Sequence, residues 1–258
     1  VLAFASYSFV YALDVFCALS LVWALAGVRL RPRPPTTNEV AQNAGALAGA
    51  RFIWQRQPLL AAMTLDMFAV ILGGAVILLP IYADQILQVG PAGLGWLRAA
   101  PALGAIAMAF IVAHSAPMRR PGLVMLWSVV GFGLSIVVFG LSTSFWLSLL
   151  ALFLSGVCDN VSVVVRHSVV QLLTPDFLRG RVTSVNQLFI GSSNEISGLR
   201  GGLVAALLGP VLAATLGGVG SMVVAAAVAL IWRDLKNLPP LHELDAGEAR
   251  GGTSDKNG

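Results

Sequence analysis

The chain has 258 residues, of which 57% are hydrophobic and only 11% charged, with a net charge of +4 and a mean hydropathy of +0.83. Soluble domains carry roughly 25% charged residues, so this composition excludes an ordinary soluble protein and defines an integral membrane protein. The positive surplus lies mostly in loops that flank apolar runs, which makes it a determinant of topology and not a nucleic-acid footprint.

Apolar runs of about 20 residues, enough to cross ~30 Å of hydrocarbon as helix, recur along most of the chain. Stretches such as 203–208 and 223–231 lack the alternation that a membrane barrel requires. The fold class is therefore an all-α membrane bundle. Seven spans are predicted at about 5–28, 58–82, 92–114, 122–141, 145–165, 181–208 and 211–233.

Residues 1–28 lack the basic start and cleavage site of a signal peptide and read as a true spanning helix, carrying Asp14 and Cys17. The absence of an initial Met reads as the mark of a fragment. Segment 29–57 is basic (Arg29, Arg31, Arg33, Arg51, Arg56) and opens on an Arg-Pro-Arg-Pro-Pro run, which is stiff and extended. Beyond a candidate N-cap at Thr37 and Asn38, a mildly amphipathic run to Arg56 suits the inner membrane face. This segment reads as a linker that divides one span from six.

Lys and Arg mark alternate loops. They occur in 29–57, in 115–121 (Arg119, Arg120), in 166–181 (Arg166, Arg179, Arg181) and in the tail (Arg233, Lys236, Arg250, Lys256). Loops 83–91, 142–144 and 209–210 have none. The basic loops are thus assigned to the cytoplasm, with the first residue outside and the C-terminus inside. Trp23, Trp54, Trp96, Trp127, Trp146 and Trp232 all fall near predicted span ends, where an indole buries its ring and hydrates its N–H. The tail, 236–258, is polar and Gly-rich and is expected to be disordered.

The last six spans read as two three-helix repeats of opposite topology. The first span of each triplet carries one acid, Asp66 or Asp159, at a similar depth. Glu195, Arg98 and Arg200 also lie within spans. An ionisable residue near the centre of a membrane helix costs roughly 2.5–3.5 kcal/mol, so these side chains should face the bundle interior or a wet cavity. They either pair to fix helix register or handle substrate and protons.

Spacing refines this reading. Ser155, Asp159, Ser162 and Arg166 form one polar stripe on the fifth span. On the sixth, Ser184, Gln187, Gly191, Asn194, Glu195, Gly198 and Gly202 recur at helical spacing, with Glu195 at the midpoint. Glu195, Asp159 and Asp66 are the candidates for proton or substrate coupling. Arg98, Arg200, Asn194 and Gln187 are the candidates for substrate binding, and two cations bordering one cavity would favour an anionic substrate. The alternative is that Arg98 snorkels outward and Arg200 pairs with Glu195.

In the loop before the sixth span, Thr174 can cap, Pro175 suits the first helical position, and Asp176 favours the positive helix end within reach of Arg179. Asp176, Arg179 and Arg181, with Arg119 and Arg120 in the other basic turn, form either a cytoplasmic latch or a set of topology anchors.

Cys17 and Cys158 read as small buried packing residues, with no disulfide or metal site. No HExxH, Walker A, strand-linked GxGxxG or CxxC pattern occurs, and His114, His167 and His242 lack ligand spacing. No enzyme activity, cofactor or metal is expected. The only lysines, Lys236 and Lys256, lie beyond the last span, which argues against a retinal protein.

The runs Leu65-Asp66-Met-Phe-Ala-Val-Ile-Leu-Gly-Gly, Leu97-Arg98-Ala-Ala-Pro101, Asp159-Asn-Val-Ser-Val-Val-Val-Arg166, Leu173-Thr-Pro-Asp-Phe-Leu-Arg-Gly-Arg181 and Gly191-Ser-Ser-Asn-Glu195 resemble the second half of a major facilitator superfamily (MFS) transporter, in its enterobactin-exporter-like branch. The resemblance covers about 50–235. It implies a twelve-helix fold in two halves and proton-driven export of a small molecule such as a siderophore or drug across a bacterial inner membrane. On that pattern 1–28 is the last helix of the N-terminal half, 29–57 the cytoplasmic linker, 58–235 the C-terminal six-helix half and 236–258 the tail. The partners implied are the lipid bilayer, protons, a small-molecule substrate and the missing N-terminal half, without which no independent transport is expected. This chain departs from the family in having Ile196-Ser-Gly-Leu-Arg200 after Asn-Glu, and in lacking the acid of the usual loop motif beside Arg119 and Arg120. The bare span count also permits a seven-helix receptor or sensor.

Overall fold

The computed structural model describes residues 7–27, 48–115 and 120–232. The chain divides into two compact units, 1–43 and 44–258. In the first, α1 (Tyr7–Gly27) is the described element. Its stretch Val15–Ala24 is apolar, and Cys17, expected to be buried, is exposed. The side chain of Asp14, the linker with Thr37 and Asn38, Arg119 and the tail lie outside the described residues.

The second unit contains α2 (Ala48–Gln55), α3 (Gln57–Gly73), α4 (Gly90–Ala113), α5 (Pro121–Leu141), α6 (Phe145–Leu173), α7 (Asp176–Leu208) and α8 (Pro210–Ile231). A proline in the first turn starts α3, α4, α5 and α8, where its missing N–H has no partner to lose. After Gly73 the chain does not stop. Gly74 is extended, and Val76–Leu78, Leu79–Ile81 and Tyr82–Ile86 continue as 3-10, α and π turns. Gln57–Ile86 is thus one broken span.

Among the described residues, five helices are long and apolar enough to cross a membrane: Gln57–Ile86, Gly90–Ala113, Pro121–Leu141, Phe145–Leu173 and Pro210–Ile231. The expected seven are met in part. The 33 residues of α7 reach ~50 Å at 1.5 Å per residue, but Arg179, Arg181, Glu195 and Arg200 dilute its apolar character. The fifth predicted span also ends later than expected. Helix α6 runs to Leu173, so Arg166 lies within it and is not a loop charge. Thr174 does not cap α7: Pro175 takes that position without a side-chain hydrogen bond, and Thr174 Oγ1 is buried without a partner.

Helix α5 packs between α6 and α8, α4 lies on α6, α3 on α7 and α8, and α2 on α7. Exchanging α3–α5 with α6–α8 maps the α4/α6 pair onto α7/α3, and α5/α6 onto α8/α3, which is the pattern of two repeated triplets. Helices α6 and α7 touch each other little, although they are neighbours in sequence.

Two apolar cores result. One gathers Leu59, Leu65, Met125, Val165, Val169 and Val182; the other gathers Leu78, Leu79, Tyr82, Leu97, Phe139 and Leu152. Tyr82 is fully buried, lies with its ring centroid 4.5 Å from that of Phe139 and donates its hydroxyl to Gly140 O at 2.7 Å. Tyr82→Phe removes this bond and leaves that carbonyl short of a partner. It should cost about 1 kcal/mol, read as a lower melting temperature in detergent; an unchanged melt would contradict the assignment.

Trp54, Trp96, Trp127 and Trp146 are exposed alongside many leucines and valines. In water such a surface would drive association, whereas in a bilayer it faces lipid. Trp232 Nε1 donates to Gln57 Oε1 at 2.7 Å, tying the end of α8 to the start of α3.

Candidate functional site

The apolar interior of the second unit holds an ion pair. Asp66 on α3 and Arg166 on α6 are buried, 6% and 3% exposed, and Arg166 Nη1 donates to Asp66 Oδ2. Seven residues before Arg166, and so on the same face of α6, Asp159 is half-buried and within electrostatic reach of both partners. Asp66, Asp159, Ser128 and Ser162 line one small cavity. The two acids singled out as a repeat signal thus meet in one cluster. Arg166 was missed as a site residue because it was assigned to a loop. Its place at the end of the Ser155–Asp159–Ser162 stripe was the signal that could have found it.

The polar face of α7 is separate. Glu195, Asn194 and Gln187 are all exposed, and Asn194 Nδ2 donates back to Ile190 O at 3.1 Å. Arg200 is half-buried and turned to α3: Nε donates to Ile71 O at 2.8 Å, and Nη2 donates to Leu72 O. These are carbonyls left open where α3 breaks before Gly74, so a guanidinium from α7 caps the broken helix. The alternative pairing of Arg200 with Glu195 is replaced by this cap. Arg98 is exposed on α4, and α4 does not pack substantially on α7. The structure therefore does not bring the two candidate substrate cations together.

Around the expected latch, Arg179 is exposed and Nη2 donates to Gln171 O at 3.4 Å. The backbone of Arg181 abuts Gly49 of α2, where an added Cβ would lie 2.8 Å from Arg181 C and O. Arg120 is exposed at the start of α5; the side chain of Asp176, like Arg119, lies outside the described residues.

A bundle of apolar helices with a buried ion pair and an exposed polar face on α7 is the architecture of a multi-pass membrane protein. The chain belongs to the MFS_3 family of transmembrane secretion effectors, whose model matches residues 1–248. It is similar to the enterobactin exporter EntS of Shigella dysenteriae serotype 1 (strain Sd197), with 30% identity over 207 residues, 80% of this chain and 49% of that protein. The same figures hold for EntS of Escherichia coli (strain K12), and EntS of Escherichia coli O81 (strain ED1a) is 31% identical over 206 residues. The chain spans about half the length of the curated relatives it matches. No solved structure matches it.

Proposed function

We propose that the chain is the C-terminal part of a secondary transporter that exports a small molecule by alternating access in exchange for protons. The observation that carries this reading is the set of charged and polar groups in apolar helices, within a family of secretion effectors. In this reading 1–28 closes an N-terminal half, 29–57 links the halves, 58–235 forms the second half, and 236–258 is a cytoplasmic tail. The membrane is the bacterial inner membrane, and the substrate is of siderophore type, as the name of the EntS relatives suggests.

Glu195 is the first candidate for proton exchange, because it is the acid on the uncovered face of α7. Gln187 and Asn194 flank it as substrate contacts, with Arg98 and Arg200 as separate cationic contacts for an anionic substrate, Arg200 while it also caps the break in α3. Asp66 and Asp159 form a second, enclosed site for a coupling ion. Asp176, Arg179, Arg181, Arg119 and Arg120 serve as a cytoplasmic latch.

Cells expressing the full-length protein should export catecholate siderophore against a gradient, and collapse of the proton gradient should stop it. Glu195→Gln should bring proton-driven export to background while leaving downhill exchange of substrate. Undiminished, still proton-dependent export by that variant would remove Glu195 from the coupling role.

A further inference from the structure

Helices α4 and α6 leave a groove of about 300 Å³ between them, lined by Trp96, Ala100 and Leu103 of α4 and by Trp146, Leu150 and Phe153 of α6. The two helices meet closely at one place. There a Cβ on Gly104 or Gly156 would run into the backbone of Phe153 or Pro101, so main chain rests on main chain. Towards the start of each helix larger side chains stand at the crossing, and the surfaces part. Ala100, 2% exposed, forms the floor of the gap.

The polar faces of these two helices do not enter the groove. On α6, Trp146, Leu150 and Phe153 each precede Ser155, Asp159 and Ser162 by nine residues, two and a half turns. They therefore occupy the side of α6 opposite to its polar stripe. On α4, Arg98 falls between Trp96 and Ala100 in sequence and so points away from both. The rim is apolar and open: Trp96 is 57% exposed and Trp146 74%, among the leucines that face lipid. The polar groups of the lining side chains are the two indole N–H groups.

We propose that this groove binds one acyl chain of a membrane phospholipid, with both indoles turned to the ester oxygens at the end of that chain. An indole buries its ring in hydrocarbon and donates one N–H at the polar boundary, which matches an amphiphile of that shape. Left empty, the groove would cost its walls their dispersion contacts on one side, and an apolar lining offers water too few partners to hold it. Bulk lipid surrounds the chain as well, so what favours the groove is packing against walls that the Gly104 and Gly156 contacts hold in place. The lining carries no charge with which to read a headgroup, so chain length and not headgroup sets the affinity. The inference rests on the groove and on the chain's place in a membrane, not on export.

The test uses the full-length protein in mild detergent, stripped of loosely held lipid and followed by native mass spectrometry with added phospholipids. Long-chain phosphatidylcholine and phosphatidylglycerol should be retained alike, and short-chain phosphatidylcholine should be lost. Leu103→Trp and Leu150→Trp each place a ring in the groove and should lower retention on the order of tenfold. Both positions are exposed, so these variants should melt with the wild type, which separates a filled groove from a misfolded chain. Leu216→Trp, exposed on α8 and outside the groove, should retain lipid as the wild type does. No retained lipid, retention unchanged in both filled variants, or retention of one headgroup only overturns the proposal. So does a dimer, or a bound detergent molecule, that added long-chain phospholipid does not displace.

Discussion

Arg166→Met should leave little folded protein under conditions in which the wild type is intact. Arg166 and Asp66 lie 6% exposed or less within the bundle, and Arg166 Nη1 donates to the Asp66 carboxylate. Removing the guanidinium strands that carboxylate in apolar surroundings with Asp159 beside it. Breaking one side of such a pair costs about 3–5 kcal/mol, against a total stability of roughly 5–15 kcal/mol for a typical domain. Neutralising both sides removes the cause, so Asp66→Asn combined with Arg166→Gln should recover much of the loss. Heating followed by size-exclusion chromatography in detergent would report the folded fraction of each variant. Wild-type stability in Arg166→Met, or a double variant worse than the single, would show that the pair does not hold α3 to α6.

The second large effect is expected at the α4/α6 crossing. A Cβ added at Gly156 would lie 1.9 Å from Pro101 O and 2.6 Å from Pro101 C, and one at Gly104 would lie 2.1 Å from Phe153 O. Each obstacle is backbone on the facing helix, so neither can rotate away as a side chain could. Gly156→Ala must push the helices apart, at a cost of about 1–3 kcal/mol for overpacking, and Gly156→Leu should cost more. Small residues are the means by which membrane helices approach closely enough for dispersion to hold them. The two sites share one interface, so Gly104→Ala combined with Gly156→Ala should cost less than the sum of the single variants. The same melting assay checks this. Strictly additive losses, or none, would mean that α4 and α6 are not held by this contact.

Much of the architecture was legible in the chain. The apolar runs around 92–114, 122–141 and 211–233 fall on α4, α5 and α8, because a helix in lipid must satisfy its own backbone and so needs an uninterrupted apolar stretch. The first of the last six spans was legible as a run but not as a broken helix. The Gly73–Gly74 pair permits the break, yet what sustains it is Arg200, 126 residues further along the chain, bonded to the carbonyls of Ile71 and Leu72. Helix α6 was cut short in the sequence reading because Arg166 looked like a loop charge; its acid lies on another helix, and only that partner makes its burial tolerable.

The candidate site divides in the same way. Sequence alone determined which residues are expensive: Asp66, Asp159, Glu195 and Arg200 stand out because an apolar chain does not carry charge without cause. It also determined the stripe on α6, because helical periodicity is local. Tertiary structure decided the partners. Asp159 is half-buried and Glu195 exposed, on helices consecutive in sequence, because α6 packs on α4 and α5 while α7 packs on α3 and α8. Asp66 and Asp159, far apart in the chain, line the same cavity. A side chain's cost can be read from its own neighbourhood in the chain, but what offsets that cost comes from across the bundle, and helix packing alone chooses it.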